Sequence, residues 1–305
     1  MRAVILERYG GPDVLRVAER PDPEPGPGEV VIDVRAAGVG FSDLLFRMGL
    51  RKLDELPAVL GYEVAGTVAA RGADVSGPEL GSRVAAFVPH GGYAERVLAR
   101  AGDVLALPDR LSFEQGAAVP LSFATAYAAL VRFGGCRPGE RVLIHGAAGG
   151  VGTFAVQLAH AAGAQVIATG RAPDHMLLAK LGAEKVVDVE RQRFEEVAGR
   201  IDLALDLVGG EVAGRSWPLV KPGGALVTVV GGTAVGQPRQ DARWVFFVVE
   251  ADRAQLAELG RRVDAGELQP VVGRVWPLAE GRQAFQAKQH GGLPGKVVLR
   301  VADQR

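Results

Sequence analysis

The sequence predicts an α/β fold built on a doubly wound parallel sheet and preceded by a smaller β domain, and three observations predict it. From Arg141 onward, six apolar runs alternate with stretches of helical periodicity, the pattern of strands whose connections cross over a parallel sheet. The first run leads through a cluster of glycines directly into a helix. Ahead of it, to about Pro108, the apolar runs are short and broken by Gly and Pro, as in a compact β domain.

Taken in order, the early strands are RAVIL, EVVIDVRAAGVG, EVAGTVAA, SRVAAFV and YAERVLA, and PDPEPGPGE (Pro21 to Glu29) among them is a stiff surface loop. After LPDRLSFEQGAAVPL, Ser112 and Gln115 stand in capping-box spacing at the head of an alanine-rich helix, which marks entry to a second domain. The six later strands are RVLIHG, QVIATG, EKVVDV, IDLALDLVGG, GALVTVVGG and RWVFFVV. From about Ala251 the tail carries a helix (AQLAELGRRVDAG), a short strand near VVGRVWPL, another helix and a last strand, GKVVLRV. Patterning alone leaves open whether the tail extends the parallel sheet or returns to the first domain.

The glycine cluster lies in LIHGAAGGVGTFAVQLAHAAGAQVIATGR. Val142 to Ile144 form an apolar strand, and Val151, Phe154, Ala155, Leu158, Ala159 and Ala162 fall on one helix face. Gly146 permits the turn between them, Gly149 and Gly150 let the backbone approach a pyrophosphate, and Gly152 lets helix and strand pack closely. Free N–H groups at the helix start then face phosphates. GAAGGVG is one residue longer than G-x-G-x-x-G, so the strand-turn-helix-strand context carries the assignment against a turn kept for packing alone. The next strand ends in Thr169, Gly170 and Arg171, with no acid before Asp174. An acid there would select the ribose 2′-hydroxyl of NAD, whereas Arg171 suits the 2′-phosphate of NADP. NADPH is therefore the expected cofactor.

Composition narrows the function classes. The chain has 305 residues, 48% apolar, enough for two ordinary domains. Its 35 basic and 35 acidic residues cancel, which points away from nucleic acid or an anionic membrane and toward a small-molecule partner. No apolar run approaches the roughly 20 residues of a membrane span, and MRAVILERYG lacks the apolar core of a secretory signal; a soluble, cytoplasmic protein is expected. Cys136 is the single cysteine, with no histidine partner in view, and His90, His145, His160, His175 and His290 show no H-x-x-x-H spacing. No metal is expected.

The motifs MRAVILERYGGPDVLRV, AAGVGFSDLLFRMG, LPAVLGYEVAGTV, GGYAERVLA, LSFEQGAAVPLSFATAYAAL, PGERVLIHGAAGGVG and GKVVL together resemble the medium-chain dehydrogenase/reductases over nearly the full length. Within them the chain is similar to the zinc-independent quinone oxidoreductases. The resemblance implies a GroES-like β-barrel catalytic domain of residues 1–114 and 251–305, which the tail rejoins, with a Rossmann dinucleotide-binding domain of residues 115–250 inserted in it. It also implies a homodimer formed through RWVFFVV. Zinc-dependent relatives carry a cysteine and a histidine where Gly40 and Tyr62 stand here.

Carried over by position, the resemblance sets Thr125 by the nicotinamide and Gly146, Ala148, Gly149, Gly150, Val151 and Gly152 beneath the pyrophosphate; Gly170 and Arg171 join them from the strand-end reading above. Val208 and Gly209 flank the adenosine half, Gly231, Gly232, Thr233, Phe246, Phe247 and Val248 line the nicotinamide end, and Lys296 approaches the cofactor. For Val208, Phe246 and Phe247 a core role remains open. Many quinone oxidoreductases have Asn and Tyr where Gly40 and Leu45 stand, and a basic residue and Tyr near Asp174 and at Val189, so Arg171 stands more alone here.

The implied reaction moves a hydride from NADPH to a quinone or an α,β-unsaturated carbonyl compound, with a hydrogen-bond donor stabilising charge on oxygen. Ser42, Tyr62 and Tyr93 are candidate donors and Asp43 an organiser; helix capping for Ser42 and Asp43, and a barrel-core place for both tyrosines, are the alternatives. A 2-alkenal or enoyl double-bond reductase and a non-catalytic NADPH-binding regulator remain as rival functions.

Overall fold

The short Val-, Ala- and Ile-rich runs form strands because branched side chains fit a pleated, half-buried surface. In the computed structural model, which describes residues 1–233, 237, 239–250 and 253–301, the first segment gives β1 (Arg2–Leu6), β2 (Leu15–Glu19), β3 (Glu29–Val39), β4 (Ala58–Val59), β5 (Glu63–Arg71), β6 (Arg83–Phe87), β7 (Arg96–Arg100) and β8 (Val104–Ala106). Helix α1 (Phe41–Met48) follows β3, and α2 (Phe113–Gly116) follows β8. The Ser112 box forms: Ser112 N donates to Gln115 Oε1 at 3.0 Å, and Gln115 N to Ser112 Oγ at 3.2 Å. The alanine-rich helix expected from this point is interrupted, because α2 ends at Gly116 and α3 (Pro120–Tyr127) starts afresh at a proline, a residue suited to a helix's first turn.

The second segment then alternates strand and helix as far as β13 and adds a last strand: β9 (Arg141–His145), α4 (Gly150–Ala161), β10 (Gln165–Gly170), α5 (His175–Lys180), β11 (Lys185–Asp188), α6 (Phe194–Ala198), β12 (Ile201–Asp206), α7 (Glu211–Ser216), β13 (Val220–Thr228) and β14 (Arg243–Phe246). The tail supplies α8 (Arg253–Asp264), β15 (Val272–Pro277), α9 (Gly281–His290) and β16 (Lys296–Arg300).

Two units result, Met1–Leu121 with Ala251–Arg305, and Ser122–Glu250. The first thus runs to Leu121 rather than residue 114, because Glu63 of β5 accepts the Leu121 amide at 3.0 Å. Of the tail, residues 251, 252 and 302–305 lie outside the described residues.

In the first unit β3 is the hub. Its one edge pairs antiparallel with β5; its other edge pairs with β7 through Glu29–Asp33 and with β16 through Ala36–Val39. The tail therefore returns to the first unit, with Trp276, Phe285, Val297 and Leu299 sharing a core with Val30, Ile32 and Val34. A small sheet in the order β2-β1-β4 adjoins it in sequence. This is the GroES-like arrangement.

In the second unit the sheet order is β11-β10-β9-β12-β13-β14, every pair parallel. The chain moves outward one way from β9 and then resumes on its other side with β12, so the strand order reverses between β9 and β12. Ligands of such sheets bind beyond the strand C-termini at that reversal. One helical stretch, Phe113–Gly134, does meet the length and hydropathy of a membrane span, unlike the sequence expectation, yet 72% of its most apolar window is buried, as in a core helix.

Candidate functional site

At the reversal, β9 ends on His145 and the chain turns at Gly146, whose φ of +68° lies in the left-handed region that glycine occupies without strain. Gly149 N donates to Gly146 O at 3.0 Å and α4 begins at Gly150 with no side chain capping it. Its first N–H groups have no acceptor within a helix and lie at its positive end. Ala148, Gly149, Gly150 and Val151 are half-buried and Gly152 is buried. A Cβ on Gly152 would sit 2.6 Å from Ala147 Cα and closer still to Gly146 O, so the turn and helix can approach this closely only over glycine. Amides without competing side chains are the donor set that a dinucleotide's diphosphate requires.

Beside this turn stands Val208, one of the residues expected there. A Cβ on Gly146 would lie 3.2 Å from Val208 Cγ2, and Val208 is 53% exposed, so its side chain forms a wall beside the turn and not part of the core. Asp206, fully buried and not singled out from sequence, holds that wall: its Oδ1 accepts Val208 N at 3.0 Å and Gly209 N at 2.9 Å, and its Oδ2 accepts Thr228 Oγ1 at 3.0 Å. The one legible signal was an acid ending the apolar run IDLALD.

Beyond β13, Gly231 and Gly232 are exposed, while Thr233 is buried and donates to Val230 O at 2.6 Å. The Phe246 ring lies 3.7 Å from where a Gly231 Cβ would stand, and Val248 is exposed. Phe247 is a correction: it is 7% exposed and packs on Phe133 at 4.6 Å between ring centroids, a core residue and not a lining one. Thr125 on α3 is likewise nearly enclosed, at 6% exposed.

At the end of β10, Gly170 O accepts Val189 N at 3.0 Å. The Asp174 carboxylate turns back to accept Arg171 N at 3.0 Å. The Arg171 side chain is exposed and makes no ion pair among the described residues.

In the first unit the candidate donors separate. Tyr93 is fully buried, edge-on to Phe285, and its hydroxyl faces Gly38 O at 3.2 Å and the Asp43 carboxylate. Burial and the neighbouring carboxylates push its pKa well up, so Tyr93 is a satisfied core tyrosine and not a donor to substrate. Asp43 is 1% exposed, accepting Gly40 N at 2.8 Å and Gly61 N at 3.1 Å; it takes the helix-capping place at the α1 start and ties that start to the β5 approach. Ser42 and Tyr62 are half-buried, Tyr62 stacking on Phe46. Lys296 is a further correction: it is buried against Glu63 as an ion pair inside this unit instead of standing at an open face. Lys288 on α9, also missed from sequence, faces the same groups, and burial together with Lys296 lowers its pKa to about 8.

Burial outweighs the hydrogen bonds and Lys296 and raises the Asp43 pKa from 3.8 to about 6. Its native pKa thus exceeds the unfolded value, so stability from this group is complete below pH 3.8 and is lost as pH rises through 6. Asp43→Asn removes that titration. Between pH 7 and pH 4 wild type should therefore gain on the variant by about 2 kcal/mol, read from urea midpoints; a gap constant with pH would contradict the assignment.

The positions at which zinc-dependent relatives carry ligands hold Gly40 and Tyr62 here. Gly40 offers no side chain, Asp43 is engaged by two amides and Glu63 by Lys296. No three His, Cys, Asp or Glu side chains converge among the described residues.

A six-stranded parallel sheet with an amide-lined glycine turn at its reversal, inserted in sequence within a β unit, is the architecture of a dinucleotide-binding protein. Comparison with known proteins agrees: residues 26–109 match the alcohol dehydrogenase GroES-like domain and residues 181–299 the zinc-binding dehydrogenase domain. The synaptic vesicle membrane protein VAT-1 homolog of Rattus norvegicus is 32% identical over 98% of this chain and 84% of its own. The quinone oxidoreductase of Coxiella burnetii superposes with a TM-score of 0.92 at 31% identity, covering 99% of each chain. That of Escherichia coli, complexed with NADPH, gives 0.89 at 27% identity over 99% of this chain and 100% of its own. The chain belongs to the medium-chain dehydrogenase/reductase superfamily, in its quinone oxidoreductase-like part. It is an oxidoreductase whose cofactor is NAD(P)H.

Proposed function

We propose that the protein uses NADPH, without zinc, to reduce quinones or α,β-unsaturated carbonyl compounds. The observation that carries the cofactor choice is the end of β10, where an exposed guanidinium at Arg171 stands with no acid placed for a ribose hydroxyl, Asp174 being turned onto the backbone. The α4 amides would hold the diphosphate, Arg171 the 2′-phosphate, and Val208 with Gly209 the adenosine side. Bound NADPH supplies the hydride. The chain's task is to orient the ring, exclude water and donate a hydrogen bond to the acceptor oxygen as charge develops there. Ser42 and Tyr62 are the donors this reading retains, since Tyr93 is enclosed.

Following the NADPH absorbance band with purified protein tests the proposal. Steady oxidation with a benzoquinone and none with 2-alkenals supports quinone reduction; the reverse result makes the protein a double-bond reductase. NADPH binding without oxidation across a broad acceptor panel would leave a non-catalytic regulator and overturn the enzymatic reading.

A further inference from the structure

His145, the last residue of β9, is 2% exposed, and its ring bridges two other elements of the same unit. Nε2 lies 2.8 Å from Ser216 Oγ at the end of α7, and Nδ1 lies 3.3 Å from Thr169 Oγ1 in β10. Phe194 closes the remaining side, edge to face, at 4.6 Å between centroids. The protons of this chain can be placed. The Ser216 hydroxyl donates its one proton to Val212 O at 2.8 Å, so toward the ring its oxygen is an acceptor and Nε2 carries the hydrogen. Nδ1 is then a lone pair that accepts from the Thr169 hydroxyl.

Thr169 also acts through its backbone, because its carbonyl accepts Ala147 N at 3.3 Å. Ala147 belongs to the diphosphate turn, and Thr169 stands two residues before Arg171. One imidazole thus fastens the turn, the β10 end and α7, whose own start follows the Val208–Gly209 wall. We propose that His145 is a positioning residue: as the neutral, Nε2-protonated imidazole it locks the diphosphate turn to the strand end bearing Arg171, and so sets the spacing on which selection of NADPH over NADH depends. This rests on the reading that the turn holds NADPH.

The ring stays neutral because burial outweighs its charged neighbours. Asp206 and Glu195 favour the imidazolium, Arg215 opposes it, and the net effect lowers its pKa to about 4. An imidazolium would carry two donors, and Nδ1 could no longer accept from Thr169.

The test combines structure and binding. Nitrogen-15 NMR of histidine-labelled full-length protein at pH 7 should show His145 as the Nε2–H tautomer. Calorimetric titrations should show His145→Leu raising the NADPH Kd by about tenfold, the scale of one lost buried hydrogen-bond partner, with a smaller change for NADH. His145→Gln, which keeps an N–H donor toward Ser216, should recover most of the affinity. Thr169→Val cuts only the Nδ1 link at nearly constant volume and should lower the NADPH-to-NADH preference on its own, so it carries the test if the leucine variant fails to fold. An Nδ1–H or charged ring, or folded variants that weaken both dinucleotides equally or neither, would overturn the proposal. Wild-type protein binding neither dinucleotide would instead overturn the functional reading beneath it.

Discussion

A valine at position 152 will abolish dinucleotide binding while the first unit stays folded. The added Cβ would overlap Gly146 O and stand 2.6 Å from Ala147 Cα, and both are backbone of the turn, so no side chain can swing aside. Either α4 withdraws from β9 or the turn is displaced, and each moves the amides away from the diphosphate. Overpacking of this kind costs about 1–3 kcal/mol or more. Misplacing a binding group by an ångström costs about 100-fold, so calorimetry with NADPH should read a loss of at least about that size. A Gly152→Val protein with wild-type affinity would remove the turn from the site.

Arg171→Glu should produce the second large effect, and a selective one. The guanidinium is exposed and without an ion pair among the described residues, and the bond from its own amide to Asp174 does not involve the side chain. Stability should accordingly stay within about 0.5 kcal/mol of wild type. Two charge-assisted hydrogen bonds to a phosphate exchanged for repulsion should raise the NADPH Kd by about 100-fold, while NADH, lacking that phosphate, binds as well as before or better. Salt should erode the wild-type preference for NADPH, since an exposed pair is screened. Equal losses for both dinucleotides would refute the role given to Arg171.

These two residues were legible because their chemistry is local. A glycine cluster between an apolar strand and a helical periodicity defines its own geometry, and Arg171 lies at a strand end that the same periodicity dates. The alternation of strand and helix from β9 to β13 was legible for the same reason. The tail was not, since patterning around GKVVLRV records that it is a strand but not that β16 pairs with β3, far away in sequence; only the resemblance resolved it. The side chains of the first unit were the least legible. In sequence Tyr93 reads as a donor, Asp43 as an organiser and Lys296 as a cofactor neighbour, yet their partners Gly38, Gly61 and Glu63 are brought to them by sheet pairing and the α1 turn. Asp206 and His145 went unselected because a lone polar residue ending an apolar run carries no spacing signal.

The placement of β16 between β15 and β3 also dictates an order of events on the ribosome. Ser122–Glu250 is contiguous and can collapse as soon as it has emerged, whereas the sheet begun by the first hundred residues keeps an open edge at Ala36–Val39 until Lys296–Arg300 has been translated. For the length of that wait, a nascent chain holds unpaired strand backbone, the kind of surface that chaperones shield.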